Sequence, residues 1–135
     1  MLRILLLCSI VVLSFIGCEE VNVGVKATPE TATVSIGEEV TVKAEIDNPM
    51  GLDVSVYRWR VTIDGEKSVT VVLDGKSDLQ DYGIDYRFND DQTELTVAHS
   101  QTGIYLYEVE IAVNGFARNY GIADSEVTVV GEQIG

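Results

Sequence analysis

Apolar and polar residues alternate along most of this chain with a period of two, in short runs separated by turn residues. The longest run is Tyr105–Val113. There Tyr105, Tyr107, Val109, Ile111 and Val113 share one face, and Leu106, Glu108, Glu110 and Ala112 share the other. Successive side chains of a strand point to opposite faces, so this pattern predicts a half-buried strand. Leu95 and Val97, set against Glu94 and Thr96, predict a strand just before it, joined through the polar corner Ala98–Thr102. Upstream, Val40, Val42, Ala44 and Ile46 form one inward series and Tyr57, Trp59, Val61 and Ile63 another, with Arg58, Arg60 and Thr62 outward. Shorter runs lie at Val21–Val25, Val34–Ile36, Val69–Leu73 and Ile84–Phe88. A last one extends from about Phe116 to Val129, with a bulge expected near Gly121.

The residues between these runs have turn chemistry: Gly37-Glu38-Glu39, Asp47–Asp53, Asp64-Gly65, Asp74-Gly75, Asn89-Asp90-Asp91 and Asn114-Gly115. Pro29 interrupts the first segment because it cannot donate to a ladder. Lys76–Gly83 reads as polar and irregular, and no helical period appears after the N-terminal segment. About seven to nine closely spaced strands predict an all-β fold, an antiparallel sandwich or barrel.

The first residues follow another rule. Met1-Leu2-Arg3 is basic, Ile4–Ile16 is largely apolar, and Gly17-Cys18 precedes Glu19-Glu20. A basic start, a short apolar core and a small residue before a cut describe a secretory signal peptide, too short to span a bilayer comfortably. Phe15-Ile16-Gly17-Cys18 resembles the bacterial lipobox, although that motif usually has Leu where Phe15 stands. The resemblance implies cleavage before Cys18 and lipidation of Cys18, with palmitate among its acyl chains. The alternative is an ordinary signal peptide whose cut happens to lie near Cys18. The expected organisation is a signal peptide at 1–17, a lipidated tether at 18–20, a sandwich domain at 21–131 and a tail at 132–135. With Cys8 removed and Cys18 lipidated, no pair remains for a disulfide. Loss of Arg3 turns nine basic residues into eight against 22 acidic ones, a formal charge of −14. Such a surface argues against nucleic acid and against attraction to anionic head groups, and it keeps an exported domain soluble.

The strand pattern resembles an immunoglobulin-like domain of the kind found in bacterial and phage surface proteins, over nearly the whole mature chain. Trp59 stands where such domains bury a tryptophan. Tyr105, after Gly103, stands where they carry a tyrosine corner, and Gly37–Val42 matches the approach to the second strand. Ala44 and Tyr107 occupy the positions of the inter-sheet cysteines, which implies a core of Ala44, Trp59, Tyr105 and Tyr107 with Trp59 packed on Tyr107. Gln101 replaces the aspartate that usually pairs with an arginine at the position of Arg87, which leaves Arg87 without that partner. The same topology puts the start of the first strand at the end that carries the Met50 and Phe116 loops. A two-residue tether reaches roughly 7 Å, so those loops are expected to face the membrane.

Chemistry is sparse. His99 is the only histidine and reads as an exposed or capping residue. No nucleophile elbow or zinc ligand set accompanies it, and no catalytic residue, metal or cofactor is assigned. Two acidic clusters are calcium candidates by oxygen count alone, drawn from Asp74, Asp78, Asp81 and Asp85 and from Asn89, Asp90 and Asp91. Their spacing is not that of an EF-hand, and a solvated loop with an Asx-type turn is the favoured reading. Candidate partner contacts are Met50, Leu52 and Phe116, with Arg58, Arg60 and Leu106 on the adjoining sheet; Met50 and Leu52 also suit a lid over the core. The expectation is a non-catalytic lipoprotein of the bacterial envelope, at the outer membrane or cell surface rather than the inner membrane, binding a protein or glycan. The alternative is a structural accessory subunit of a larger envelope assembly.

Overall fold

A computed structural model describes residues 23–64, 68–114 and 121–131. They form nine strands: β1 Gly24–Thr28, β2 Thr31–Ser35, β3 Val40–Asp47, β4 Val54–Asp64, β5 Val69–Leu73, β6 Ile84–Phe88, β7 Glu94–His99, β8 Gly103–Val113 and β9 Ile122–Val130. Two sheets face each other, one ordered β1-β3-β7-β6 and the other β2-β9-β8-β4-β5. The alternation read from the sequence places one set of side chains between them. Val42, Val61, Leu95, Val97, Tyr107 and Val109 are fully buried there.

Pro29 passes the chain from one sheet to the other. β1 pairs antiparallel with β3, a cis Thr28–Pro29 peptide follows, and β2 then pairs in parallel with β9. The Ser125 hydroxyl donates to the Pro29 carbonyl, and the Glu126 N–H donates to the Glu30 carbonyl over 2.9 Å. The crossing is thus held by β9.

Four readings need correction. Tyr57 does not join the inward series and is 52% exposed. Val56 pairs with Ile111 and Arg58 with Glu110, so Tyr57 is the extra residue of a bulge. One inserted residue transfers the inward face from odd to even positions. Consequently Val56 packs against the core in place of Tyr57. Lys76–Gly83 is not wholly polar and irregular either, because a 3-10 turn at Gln80–Tyr82, ended by Gly83 at φ +73°, lets Leu79 plug the core. A Cβ at Gly83 would also lie 2.9 Å from Gln101 Cγ, so glycine serves both the left-handed backbone and the close approach. Arg87 has a partner after all, since its two terminal nitrogens bond the Glu39 carboxylate at 2.7 and 3.3 Å. This exposed fork holds the Glu39 carboxyl below its usual range, mainly through the hydrogen bond. His99, the fourth, is not exposed but 2% accessible.

The two ends of the sandwich differ. Gly24 pairs with Asp47, and the Asn114 N–H donates to the Asp53 carbonyl over 2.7 Å. The start of β1, the β3–β4 loop and the end of β8 therefore lie together. The β7–β8 corner, the end of β4 and the end of β9 lie at the opposite end.

Candidate functional site

The residues singled out from the sequence fall into three places. Met50, exposed, and Leu52, half-buried, occupy the β3–β4 loop at the end where β1 begins. The Asn48 side chain clasps this loop, donating to the Leu52 carbonyl at 2.7 Å and accepting the Leu52 N–H at 3.0 Å. Arg58, Arg60 and Leu106 lie instead on the outer face of the five-stranded sheet. Cys18 and Phe116 lie outside the described residues, as do Gly65, Gly115, the signal segment, the tether and the tail.

The outer face is built by cross-strand pairing. Arg58 sits opposite Glu110 and Arg60 opposite Glu108, and each arginine Nε donates to its glutamate, at 3.0 and 3.1 Å. Pairs this exposed stabilise little and mainly hold the arginines in place. The Arg58 guanidinium also lies 5.4 Å from the centre of the Tyr57 ring. Tyr57, Val72, Ile104 and Ile122 are exposed among these charges.

Inside, the aromatic residues are each anchored at one polar atom. The Trp59 indole N–H donates to the Gln92 carbonyl at 2.7 Å, and its ring lies 6.2 Å from that of Phe88. Among the described residues its aromatic neighbour is Phe88 rather than the expected Tyr107. The Tyr105 hydroxyl donates back to the Gln101 carbonyl at 3.0 Å, across the β7–β8 corner. Tyr107 instead turns its hydroxyl to His99 Nε2 at 2.6 Å, and the His99 ring lies tilted against that of Tyr105, their centres 4.3 Å apart. Ala44 is buried on the facing sheet.

His99 is the most perturbed group of this corner. Burial pushes its pKa down to about 4, and burial likewise holds the Tyr107 phenol well above its usual range. Its Nδ1 is buried without a partner. A cavity of about 270 Å³ beside it is lined also by Asp85 and Ser100. With Nε2 committed to Tyr107 and Nδ1 unpaired, these residues assemble no relay of nucleophile, base and orienting acid.

The acidic residues are used in turns. Asp74 accepts the N–H groups of Lys76 and Ser77 at 2.9 and 2.7 Å, and the Ser77 bond above all lowers its pKa to about 2. Asp78 accepts the Gln80 N–H at 2.9 Å. Asp91 accepts the Thr93 N–H and hydroxyl at 3.1 and 2.6 Å, which lowers its pKa. Asp81 belongs to the 3-10 turn, Asp85 to β6 and Asp90 to the β6–β7 turn. Among the described residues no three acidic, histidine or cysteine side chains gather to hold a metal.

No family model and no curated protein sequence matches this chain. Solved structures match in fold. One of them is murine CRIg, at a TM-score of 0.52 and 15% identity, over 83% of this chain and 99% of that one. The fold is immunoglobulin-like. Identity at this level carries the sandwich and nothing of what that protein does. Sequence reading missed the buried state of His99, because a lone histidine in a polar corner gives no sign of the ring packed against it. The one available signal was the odd spacing from Leu95 through Val97 to His99, which continues the inward face of β7.

Proposed function

We propose that this chain is a non-catalytic immunoglobulin-like module, tethered to the bacterial envelope by lipid on Cys18, that binds a protein or glycan partner. The observation that carries the reading is the outer face of the five-stranded sheet, where Tyr57, Val72, Ile104 and Ile122 stand exposed around the Arg58–Glu110 and Arg60–Glu108 pairs. A surface mixing fixed charges with aromatic and aliphatic area suits recognition. On this reading the contacts are Arg58, Arg60 and Leu106, while the loop of Met50 and Leu52 lies toward the membrane. The test is capture from membranes with the lipidated full chain as bait. One protein or glycan is expected in saturable amounts, and recovery no greater than with an unrelated lipoprotein overturns the reading.

The orientation has its own test. In intact cells, a thiol-reactive probe that cannot cross membranes is expected to label the Gln101→Cys chain readily and the Met50→Cys chain poorly. Both residues are exposed in the domain itself. Ready labelling at position 50 with protection at position 101 refutes a membrane-facing β3–β4 loop.

One observation favours the structural-subunit alternative. β5 is an edge strand whose sequence, Val69-Thr70-Val71-Val72-Leu73, contains no charge and no proline. Edges of this kind are normally guarded, and an unguarded one can take an added strand from a neighbour.

A further inference from the structure

We propose that the cleft where β1 leaves β2 along β9 receives a lysine or arginine side chain from an extended segment of the protein partner. This deepens the binding reading above by naming the partner's chemistry, and it rests on that reading.

The cleft follows from the crossing at Pro29. β9 runs from Ile122, but β2 pairs with it only from Glu126 to Val130. Over Ile122–Ser125 the ladder of β9 has β8 on one side and no hydrogen-bonded strand on the other, where β1 lies alongside and forms the far wall of the gap. The Glu126 N–H points to the β2 side, where it meets the Glu30 carbonyl. Backbone groups alternate along a strand, so Asp124 turns its own N–H and carbonyl to that side, just before the point where β2 begins. An extended backbone can take up those two groups.

The space beside them is a cleft of about 530 Å³ lined by Leu106 and Ala123, by the carboxylates Glu30, Asp124 and Glu126, and by Lys26. Among the described residues the ion pairs are Arg58–Glu110, Arg60–Glu108 and Arg87–Glu39, so none of these three carboxylates has an ion-pair partner among the described residues. The apolar Leu106 side chain beside a carboxylate rim fits a long cationic side chain, its methylene stem on Leu106 and its head on the acids. One lysine against three carboxylates leaves an excess of negative charge. The formal charge of the whole chain, −13, steers basic partners toward it. A glycan lacks the cation, and an acidic peptide is repelled.

The experiment uses the isotope-labelled full chain in lipid nanodiscs, titrated with the amidated peptide Lys-Val-Lys-Val-Lys and separately with Glu-Val-Glu-Val-Glu. The lysine peptide is expected to shift the amide signals of Lys26, Thr31, Asp124 and Glu126, and the glutamate peptide to shift none of them. The double substitution Asp124→Asn/Glu126→Gln is expected to weaken binding roughly ten-fold or more. Asp85→Asn/Asp90→Asn, the same loss of charge at the far edge of the other sheet, should change it less than about two-fold. Leu106→Ser should weaken binding without altering charge. All these positions are at least partly exposed, and amide spectra of the free variants verify the fold. Equal weakening by both charge-removing pairs, shifts centred elsewhere, or no binding of the lysine peptide would each overturn the proposal. If membrane capture succeeds and survives Asp124→Asn/Glu126→Gln, this cleft is not the contact although the binding reading stands. If capture fails altogether, it is the binding reading that falls.

Discussion

Trp59→Ala is expected to lower the unfolding free energy by about 4 kcal/mol, in the range for truncating a large buried aromatic. Trp59 is 1% exposed, it packs on Phe88, and its N–H satisfies the Gln92 carbonyl. Alanine removes that apolar contact, opens a cavity between the sheets and strands a carbonyl. Domains of this size have a margin of roughly 5–15 kcal/mol, and the chain's cysteines, Cys8 and Cys18, both lie outside the described sandwich. The substitution therefore consumes a large share of the margin. Denaturant unfolding followed by circular dichroism measures it, because the only tryptophan is the one removed. A loss below about 1.5 kcal/mol would contradict this account of the core. Trp59→Phe, which keeps ring packing but not the hydrogen bond, should cost about 1–2 kcal/mol.

Acidification is expected to destabilise the domain between about pH 6.5 and pH 4 through His99. Its folded-state pKa is about 4, depressed by burial from an ordinary 6.5. Below 6.5 the unfolded chain takes up a proton that the folded chain refuses, so stability falls with pH until the folded histidine also titrates near 4. A tenfold difference in proton affinity between the two states is worth about 1.4 kcal/mol. Allowing for partial solvent screening, the loss across the window is on the order of 2 kcal/mol. Protonation would also create two N–H donors where the neutral ring meets only Tyr107 and a partnerless Nδ1. His99→Gln, which can still reach the Tyr107 hydroxyl, is expected to flatten stability against pH across this window. The Asp74 carboxyl, at a pKa of about 2, contributes its own loss only at lower pH. An unchanged slope in the His99→Gln chain would remove His99 as the cause.

Much of the architecture was legible in the alternation itself. β3, β7 and β8 lie where their inward series predicted, and turns rich in Gly, Asn and Asp separate the strands. The misreadings share one cause, which is that a local pattern carries no information about what stands opposite. Tyr57 looked inward because a bulge is invisible in a period count. Arg87 looked partnerless because Glu39, which pairs with it, lies 48 residues away and gives no local sign. Leu79 was hidden in a polar stretch because only the 3-10 turn aims it into the core.

The candidate site was less legible still. Arg58, Arg60 and Leu106 could be named, but their glutamate partners come from β8 and the cleft beside Leu106 comes from strands on both sides of the crossing at Pro29. By itself, then, the sequence determined the class of fold and the strand faces, because the period of two is written into each segment. It also set the acidity of the chain and the resemblance around Cys18. The tertiary structure alone decided where the chain passes from β1 on β3 to β2 on β9, which carboxylates gather there, and that His99 is buried beside Tyr105 and Tyr107. Those features are made by residues far apart in the chain, and only the packing of one sheet against the other brings them within bonding distance.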